Sequence, residues 1–293
     1  MDRGPAWDRV TVDIPGFAFE PKPPRSRTLR SDSECDGWST GAITLRSASL
    51  RGYQHRYYGL PRQDAVCATV HAGMGAVIFA VADGVSGADA SEIGAAEACY
   101  TAASAIAWQF DHGAATLDCA RISRRVAARL RWRAGQILGI PDPDTERASR
   151  ILATTLVTGA AWPRDGGLTV QLFRIGDSAA WVLDPDRERY SPVFGASPAL
   201  PGLALVPTEV TALPEVPQAL EQTAVTVGPG QVLLVGTDGF GVPLGDGDGE
   251  IGELFARTLA SVPSPFWLAH VLDFSRETFD DDRTLLALWP ARE

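Results

Sequence analysis

Val77-Ile78-Phe79-Ala80-Val81-Ala82-Asp83-Gly84-Val85-Ser86-Gly87 is a run of six apolar residues that ends in Asp-Gly and gives way to a Gly/Ala-rich helical pattern. β-Branched and aromatic residues bounded by a turn signal predict a buried strand, here one that delivers the Asp83 carboxylate to a tight turn. An Asp-Gly pair on its own is a common turn former. The design recurs, however, at Gln231-Val232-Leu233-Leu234-Val235-Gly236-Thr237-Asp238-Gly239. Two further apolar runs also touch acids: Phe173-Arg174-Ile175-Gly176-Asp177-Ser178, and Asp280-Asp281-Asp282 ahead of Thr284-Leu285-Leu286-Ala287-Leu288-Trp289.

Working outward, 293 residues with 45% hydrophobic content can bury a sizeable core. A formal charge of −10 argues against general nucleic-acid binding, which exploits a basic field. Of the 26 basic residues the one lysine is Lys22, so lysine chemistry and lysine-dependent phosphate loops are excluded. Cys35, Cys67, Cys99 and Cys119 show neither zinc spacing nor a disulfide framework, and read as reduced thiols of a cytoplasmic protein. Residues 1–30 lack the apolar segment of a signal peptide, and no apolar run is long enough to span a membrane.

Residues 1–41 carry Pro15, Pro21, Pro23 and Pro24 without a sustained period, which predicts an extension, and Trp7, Phe17, Phe19 and Trp38 favour its wrapping a domain. A strand over 42–50 leads into a basic, aromatic loop ending at Asp64, and a second strand over 65–70 returns toward 77–82. That hairpin places Asp64 beside Asp83. Long helices are predicted over 89–110 and 115–138, the second with a solvated arginine face, followed by a polar loop over 142–150. Strands follow over 152–161, 168–175 and 179–183. The proline-rich stretch 184–222 is long and irregular, a candidate flap. Helices over 250–260 and 265–279 precede the last strand. Strands and helices in blocks indicate an α+β fold with antiparallel sheets, and the absence of a linker within 42–290 indicates one catalytic domain.

Several carboxylates gathered together raise one another's pKa unless a cation neutralises them. Ligation by oxygen alone suits Mg²⁺ or Mn²⁺ rather than zinc. Two such cations about 4 Å apart would activate a water for in-line attack on a phosphate ester without any Ser, Cys or Lys nucleophile.

Taken in order, Gln63-Asp64-Ala65, Asp83-Gly84-Val85-Ser86-Gly87, Thr154-Thr155-Leu156, Gly176-Asp177-Ser178, Thr237-Asp238-Gly239 and Asp281-Asp282-x-Thr284 resemble the motifs of the metal-dependent serine/threonine protein phosphatases of type 2C, in their bacterial branch. The resemblance spans roughly 42–290. It implies a four-layer αββα sandwich of two antiparallel sheets flanked by helix pairs, with a binuclear Mn²⁺/Mg²⁺ centre at one end. By that resemblance Asp83 bridges both ions, Gly84 offers its carbonyl, Asp238 and Asp281 hold one ion, Asp64 lies in the same shell, and Asp177 matches a position linked to a third, looser ion. A one-residue shift would put Asp282 in place of Asp281.

The chain also departs from the pattern. Gln63 stands where the family has an acid, and reaches a metal only through water. Val85 stands where animal members carry a histidine, so the leaving group takes its proton from metal-held water or from a residue outside the motif such as His55. The family's phosphate-binding arginine falls on Gly59, leaving Arg51, His55, Arg56 and Arg62 as replacements. Three readings follow: a phosphatase acting on phosphoserine or phosphothreonine made by a Ser/Thr kinase, a catalytically weak module that binds a phosphoprotein or signalling partner, and a small-molecule phosphoesterase.

Overall fold

The computed structural model describes residues 9–16, 19, 22–24, 30–195 and 211–291. In chain order these form β1 Ser33–Ser39, β2 Ile43–Leu50, α1 Tyr53–Tyr58, β3 Ala65–His71, β4 Ala76–Ala82, α2 Ser91–Asp111, α3 Cys119–Leu138, α4 Thr145–Leu152, β5 Leu156–Arg164, β6 Gly167–Ile175, β7 Ala179–Asp184, β8 Arg189–Pro192, β9 Glu221–Val227, β10 Val232–Gly236, α5 Asp238–Leu244, α6 Glu250–Leu259, α7 Pro265–Leu272 and β11 Arg283–Pro290. One sheet runs β1-β2-β11-β10-β7-β8 and the other β3-β4-β5-β6-β9. Every pairing is antiparallel.

Side-chain alternation along the strands creates four layers. In β4, Val77, Phe79 and Val81 point between the sheets with Leu233, Val235, Leu286 and Leu288. Its alternate residues Ala76, Ile78, Ala80 and Ala82 point outward, onto Ala98, Ala102, Ile106, Ile122 and Val126 of α2 and α3. The small alanines on that face let the Ala-rich α2 lie close. On the far side, Val232 and Leu234 of β10 and Leu285 and Ala287 of β11 pack against Phe240, Phe255 and Leu268 of α5, α6 and α7. The result is the αββα sandwich expected from the sequence.

Several local expectations change. β1 lies inside the segment assigned to an extension and pairs with β2 over its full length, so the sheet begins before residue 42. The rest of that segment wraps where it is described. Arg9 forks onto Asp273, the Val12 N–H donates to the Ser275 carbonyl while the Ser275 N–H donates to the Val10 carbonyl, and Phe19 packs edge-on against Tyr53 and Tyr57. Trp7 and Phe17 lie outside the described residues.

The polar loop over 142–150 is largely the helix α4, capped by Asp144 through the Arg147 N–H, and the loop before Asp64 contains α1. Of the stretch 184–222, residues 196–210 lie outside the described part. On either side of them β8 and β9 are paired strands, and Leu213 exchanges backbone hydrogen bonds with Thr154. The four cysteines are free. No helix among the described residues is long and apolar enough to cross a membrane.

Candidate active site

Antiparallel pairing gathers the acids at one end of the sandwich. Ala65 pairs with Ala82, so Asp64, just before β3, meets Asp83, just after β4. Gly236 pairs with Leu285 and with Ala179, which brings Asp238, the 280–282 acids and Asp177 to the same end. There Asp83, Asp177, Asp238, Asp281, Gly84 and Gln63 line a pocket of about 610 Å³. Glu215 also lines it. No basic side chain does so among the described residues.

Hydroxyl side chains from the quoted motifs fix the acids. Asp64 is fully buried, and its Oδ2 accepts hydrogen bonds from Thr237 Oγ1 at 2.8 Å and Thr284 Oγ1 at 2.7 Å. Because the Thr284 hydroxyl proton goes to Asp64, Ser49 Oγ, 2.7 Å away, donates to Thr284. Asp64 Oδ1 has no protein partner. The Asp83 carbonyl accepts from Thr154 Oγ1 and from the Thr155 N–H, while the Asp83 N–H donates to Thr155 Oγ1, itself 2.7 Å from Ser178 Oγ. The Thr-Thr and Asp-Ser motifs thus clamp the Asp83 backbone.

The carboxyl groups of Asp83 and Asp238 are in hydrogen-bond contact, and Asp238 Oδ1 is left without a partner. Two carboxylates touch in this way only if they share a proton or face a cation. Burial pushes the Asp64 carboxyl up to about 8, reinforced by the charge of Asp282. Burial and the neighbouring Asp64 and Asp238 hold Asp83 well above the usual carboxylate range. Burial also raises Asp238, and Asp281, whose side chain is open to the pocket, is raised by partial desolvation at the pocket wall. Buried carboxylate oxygens without donors, in a set made only of oxygens, fit a hard divalent cation. Close approach explains the glycines: a Cβ on Gly239 would collide with the Asp282 carbonyl oxygen, and one on Gly84 would stand 2.8 Å from the Ser91 backbone.

Asp281 and Asp282 differ sharply. Asp282 is 2% exposed and accepts from the Gly52 N–H at 2.6 Å and from the Gln63 N–H, with His55 Nδ1 2.9 Å away. Its oxygens are therefore spent on α1 and on the approach to β3. Asp281 is exposed and faces the pocket. Single ligand atoms of His55, Asp281 and Asp282 come within 4.8 Å of one another, but that cluster shares Asp282 with these structural bonds. Burial works against a charged His55 ring, yet the Asp282 carboxylate outweighs it and raises the histidine.

None of the four basic candidates lines the pocket. Arg51 is buried against Asp32 and the carbonyls of Lys22 and His55; Arg62 holds the Ser49 carbonyl and Glu34; Arg56 pairs with Asp273; His55 is 3% exposed beside Asp282. Each has structural partners, so the structure supplies no contact through which they would hold a phosphate in this pocket.

Two contributors escaped sequence reasoning. Arg30 reaches from the N-terminal segment to the carbonyls of Asp64 and Glu92, tying β3 to α2. Glu215 is delivered by the Leu213–Thr154 bridge, a non-local pairing with no sequence signature.

A family model described as protein phosphatase 2C matches residues 51–273. No curated protein sequence is significantly similar to the chain. Among solved structures, the S. agalactiae serine/threonine phosphatase superposes with a TM-score of 0.57 at 13% identity, over 84% of this chain and 99% of that one. The catalytic domain of the serine/threonine phosphatase PstP in complex with two manganese ions gives 0.54 at 19% identity, over 86% and 99%. RsbX in complex with magnesium gives 0.53 at 13% identity, over 88% and 100%. Identities this low speak to the fold, and the fold is the one expected. Family match, fold and acid-lined pocket agree: the chain belongs to the protein phosphatase 2C family of metal-dependent phosphatases.

Proposed function

We propose that the chain hydrolyses phosphoserine and phosphothreonine in proteins at a binuclear Mn²⁺ or Mg²⁺ centre. Asp83, the Gly84 carbonyl, Asp238 and Asp281 would hold the two ions, with Asp83 shared between them, Asp64 would stand in the same shell, and Asp177 would serve a third ion. Gln63 takes part through water. The observation that carries this reading is the Asp83–Asp238 carboxyl contact beside the partnerless oxygens Asp64 Oδ1 and Asp238 Oδ1.

When bound, the cations supply the Lewis acidity that activates a water and the positive charge that a phosphate ester needs. The chain's own groups do the rest. Thr237 and Thr284 hold Asp64, and Thr154 and Thr155 hold the Asp83 backbone, so the ligands are set before the ions arrive. No basic side chain lines the pocket among the described residues, so the acids that gather the cations are the means by which phosphate is attracted at all. Val85 lines the pocket and has no proton to give, and His55 is buried against Asp282 outside it, which supports water as the proton donor to the leaving group. Asp282, with His55, serves as a structural brace rather than as a ligand.

The pairing of β1 with β2 supports including β1 with residues 42–290 in the catalytic unit. The substrates are products of a Ser/Thr kinase. Four free cysteines support a cytoplasmic setting.

The test is turnover of p-nitrophenyl phosphate and of a phosphothreonine peptide by the purified chain with Mn²⁺ or Mg²⁺. Activity lost with chelator, and lowered at least about a hundredfold in Asp83→Asn and Asp238→Asn, is expected. Turnover that survives both substitutions would overturn the proposal.

A further inference from the structure

A second pocket, of about 810 Å³, opens beside the first and shares Asp281 with it. Its walls carry four aromatic rings, those of Phe19, Tyr53, Tyr57 and Tyr58. Its rim carries Glu277 and Asp280 besides Asp281, and no basic residue lines it among the described residues. Neither Glu277 nor Asp280 has an ion-pair partner among the described residues, while Asp281 belongs to the proposed metal site next door. Phe19 meets Tyr53 and Tyr57 edge-on, with ring centroids 5.5 and 5.4 Å apart, so the rings form a fixed wall rather than separate surface side chains.

We propose that this pocket is a specificity subsite that takes a cationic side chain, arginine or lysine, close in sequence to the phosphorylated residue of the substrate. The inference rests on the phosphatase reading above. Electron-rich ring faces and unpaired carboxylates at one mouth attract a cation twice over. The chain's own cations already cover a face of two of these rings, with the Arg9 guanidinium 3.9 Å from the Tyr53 centroid and the Lys22 ammonium 4.5 Å from that of Tyr57, so the incoming cation takes the exposed Tyr58 ring together with Glu277 and Asp280. Continuity through Asp281 gives the distance its meaning, because a peptide whose phosphate enters the acid-lined pocket lays its neighbouring residues across Asp281 into this one. Among the described residues the charged groups lining the two pockets are all acidic, from Glu215 on one side to Glu277 on the other, so phosphopeptides with acidic neighbours are disfavoured.

Two phosphothreonine peptides that differ only in carrying Arg or Ala beside the phosphothreonine test the idea with the Mn²⁺-loaded full chain. The variants are Tyr58→Ala, at a ring 55% exposed, and Glu277→Gln, also exposed; neither belongs to the metal site. The Arg peptide is expected to have a kcat/KM about tenfold above the Ala peptide, and each variant to cut that preference to about threefold or less. Turnover of p-nitrophenyl phosphate, which has no neighbouring side chain, stays within about twofold in both. Equal kcat/KM for the two peptides, or a preference unchanged in both variants, overturns the subsite.

If no phosphate ester is turned over, the subsite is judged by fluorescence anisotropy of the unphosphorylated peptides. Tighter binding of the Arg peptide, lost in the variants, upholds the subsite while the phosphatase reading falls. Equal binding of the two peptides overturns the subsite as well.

Discussion

Asp83 and Asp238 end two apolar strands in opposite sheets, and the fold brings their carboxyl groups into hydrogen-bond contact. Without a cation this contact is a site of repulsion relieved only by a retained proton. Replacing either acid by Asn removes a charge, so Asp83→Asn and Asp238→Asn should melt above the metal-free parent at pH 7.5. The same variants should lose the rise in Tm that Mn²⁺ gives the parent. Thermal scans with and without Mn²⁺ check both; a lower metal-free Tm in both variants would show that the contact is not a repulsive one.

The same acids set a pH dependence. Carboxyls whose folded pKa is raised bind more protons in the folded state, so the stability of the metal-free protein falls as pH climbs from the unfolded value of 3.8 toward about 8, the value that burial gives Asp64. Cation binding must expel those protons and is therefore favoured as pH rises. The Tm gain on adding Mg²⁺ should be larger at pH 8 than at pH 5.5. A gain that is equal at the two values would mean that these carboxyls are already ionised in the metal-free protein.

Thr237 and Thr284 converge on one oxygen of the fully buried Asp64. Removing a donor from a buried carboxylate costs about 1–3 kcal/mol. Thr237→Val and Thr284→Val should each lower stability by that order. They should also weaken Mn²⁺ affinity about 10- to 100-fold, as loss of an orienting partner does. Urea unfolding and Mn²⁺ titration by calorimetry separate the two effects.

These supporting hydroxyls show where sequence reading stops. Asp83 and Asp238 were legible because an apolar run that ends in an acid announces a buried strand and its delivery point, and Asp64 because the hairpin returns it beside Asp83. Antiparallel pairing then fixed which ends meet. Thr155 and Ser178 were legible only as motif members: what they clamp depends on the register that sets β5 beside β4, which no local pattern encodes. Arg51 and Arg62 misled for a related reason. A basic side chain near an acid is read as a phosphate ligand, yet both are buried among carbonyls at a turn, where only the fold supplies their partners. Glu215 and Arg30 depend wholly on long-range placement.

The adjacent acids Asp281 and Asp282 allow a sharp contrast. Asp282→Ala strips acceptors from the Gly52 and Gln63 N–H groups and a partner from His55, all buried, and should cost about 3–5 kcal/mol. Asp281→Ala, at an exposed position, should change stability by less than about 1 kcal/mol while weakening Mn²⁺ binding. Denaturant unfolding beside metal titration decides it. A mild Asp282→Ala with lost metal binding would transfer the ligand role to Asp282.

Within the stretch Asp83-Gly84-Val85-Ser86-Gly87, the two glycines should behave oppositely. A Cβ at Gly84 falls 2.8 Å from the Ser91 backbone at the start of α2, whereas one at Gly87 meets nothing within 4 Å. Gly84→Ala must push the turn away from the helix, an overpacking cost of about 1–3 kcal/mol, and displaces the Asp83 carboxylate with it. Gly87→Ala should stay within about 0.5 kcal/mol of the parent. Because Asp83 and Gly84 sit where cations are proposed to bind, Gly84→Ala should also lose more activity toward p-nitrophenyl phosphate than its lowered stability explains. Measuring turnover at a temperature where both variants are fully folded isolates that loss; equal turnover in Gly84→Ala and Gly87→Ala would show that the turn tolerates displacement and that the glycine serves packing alone.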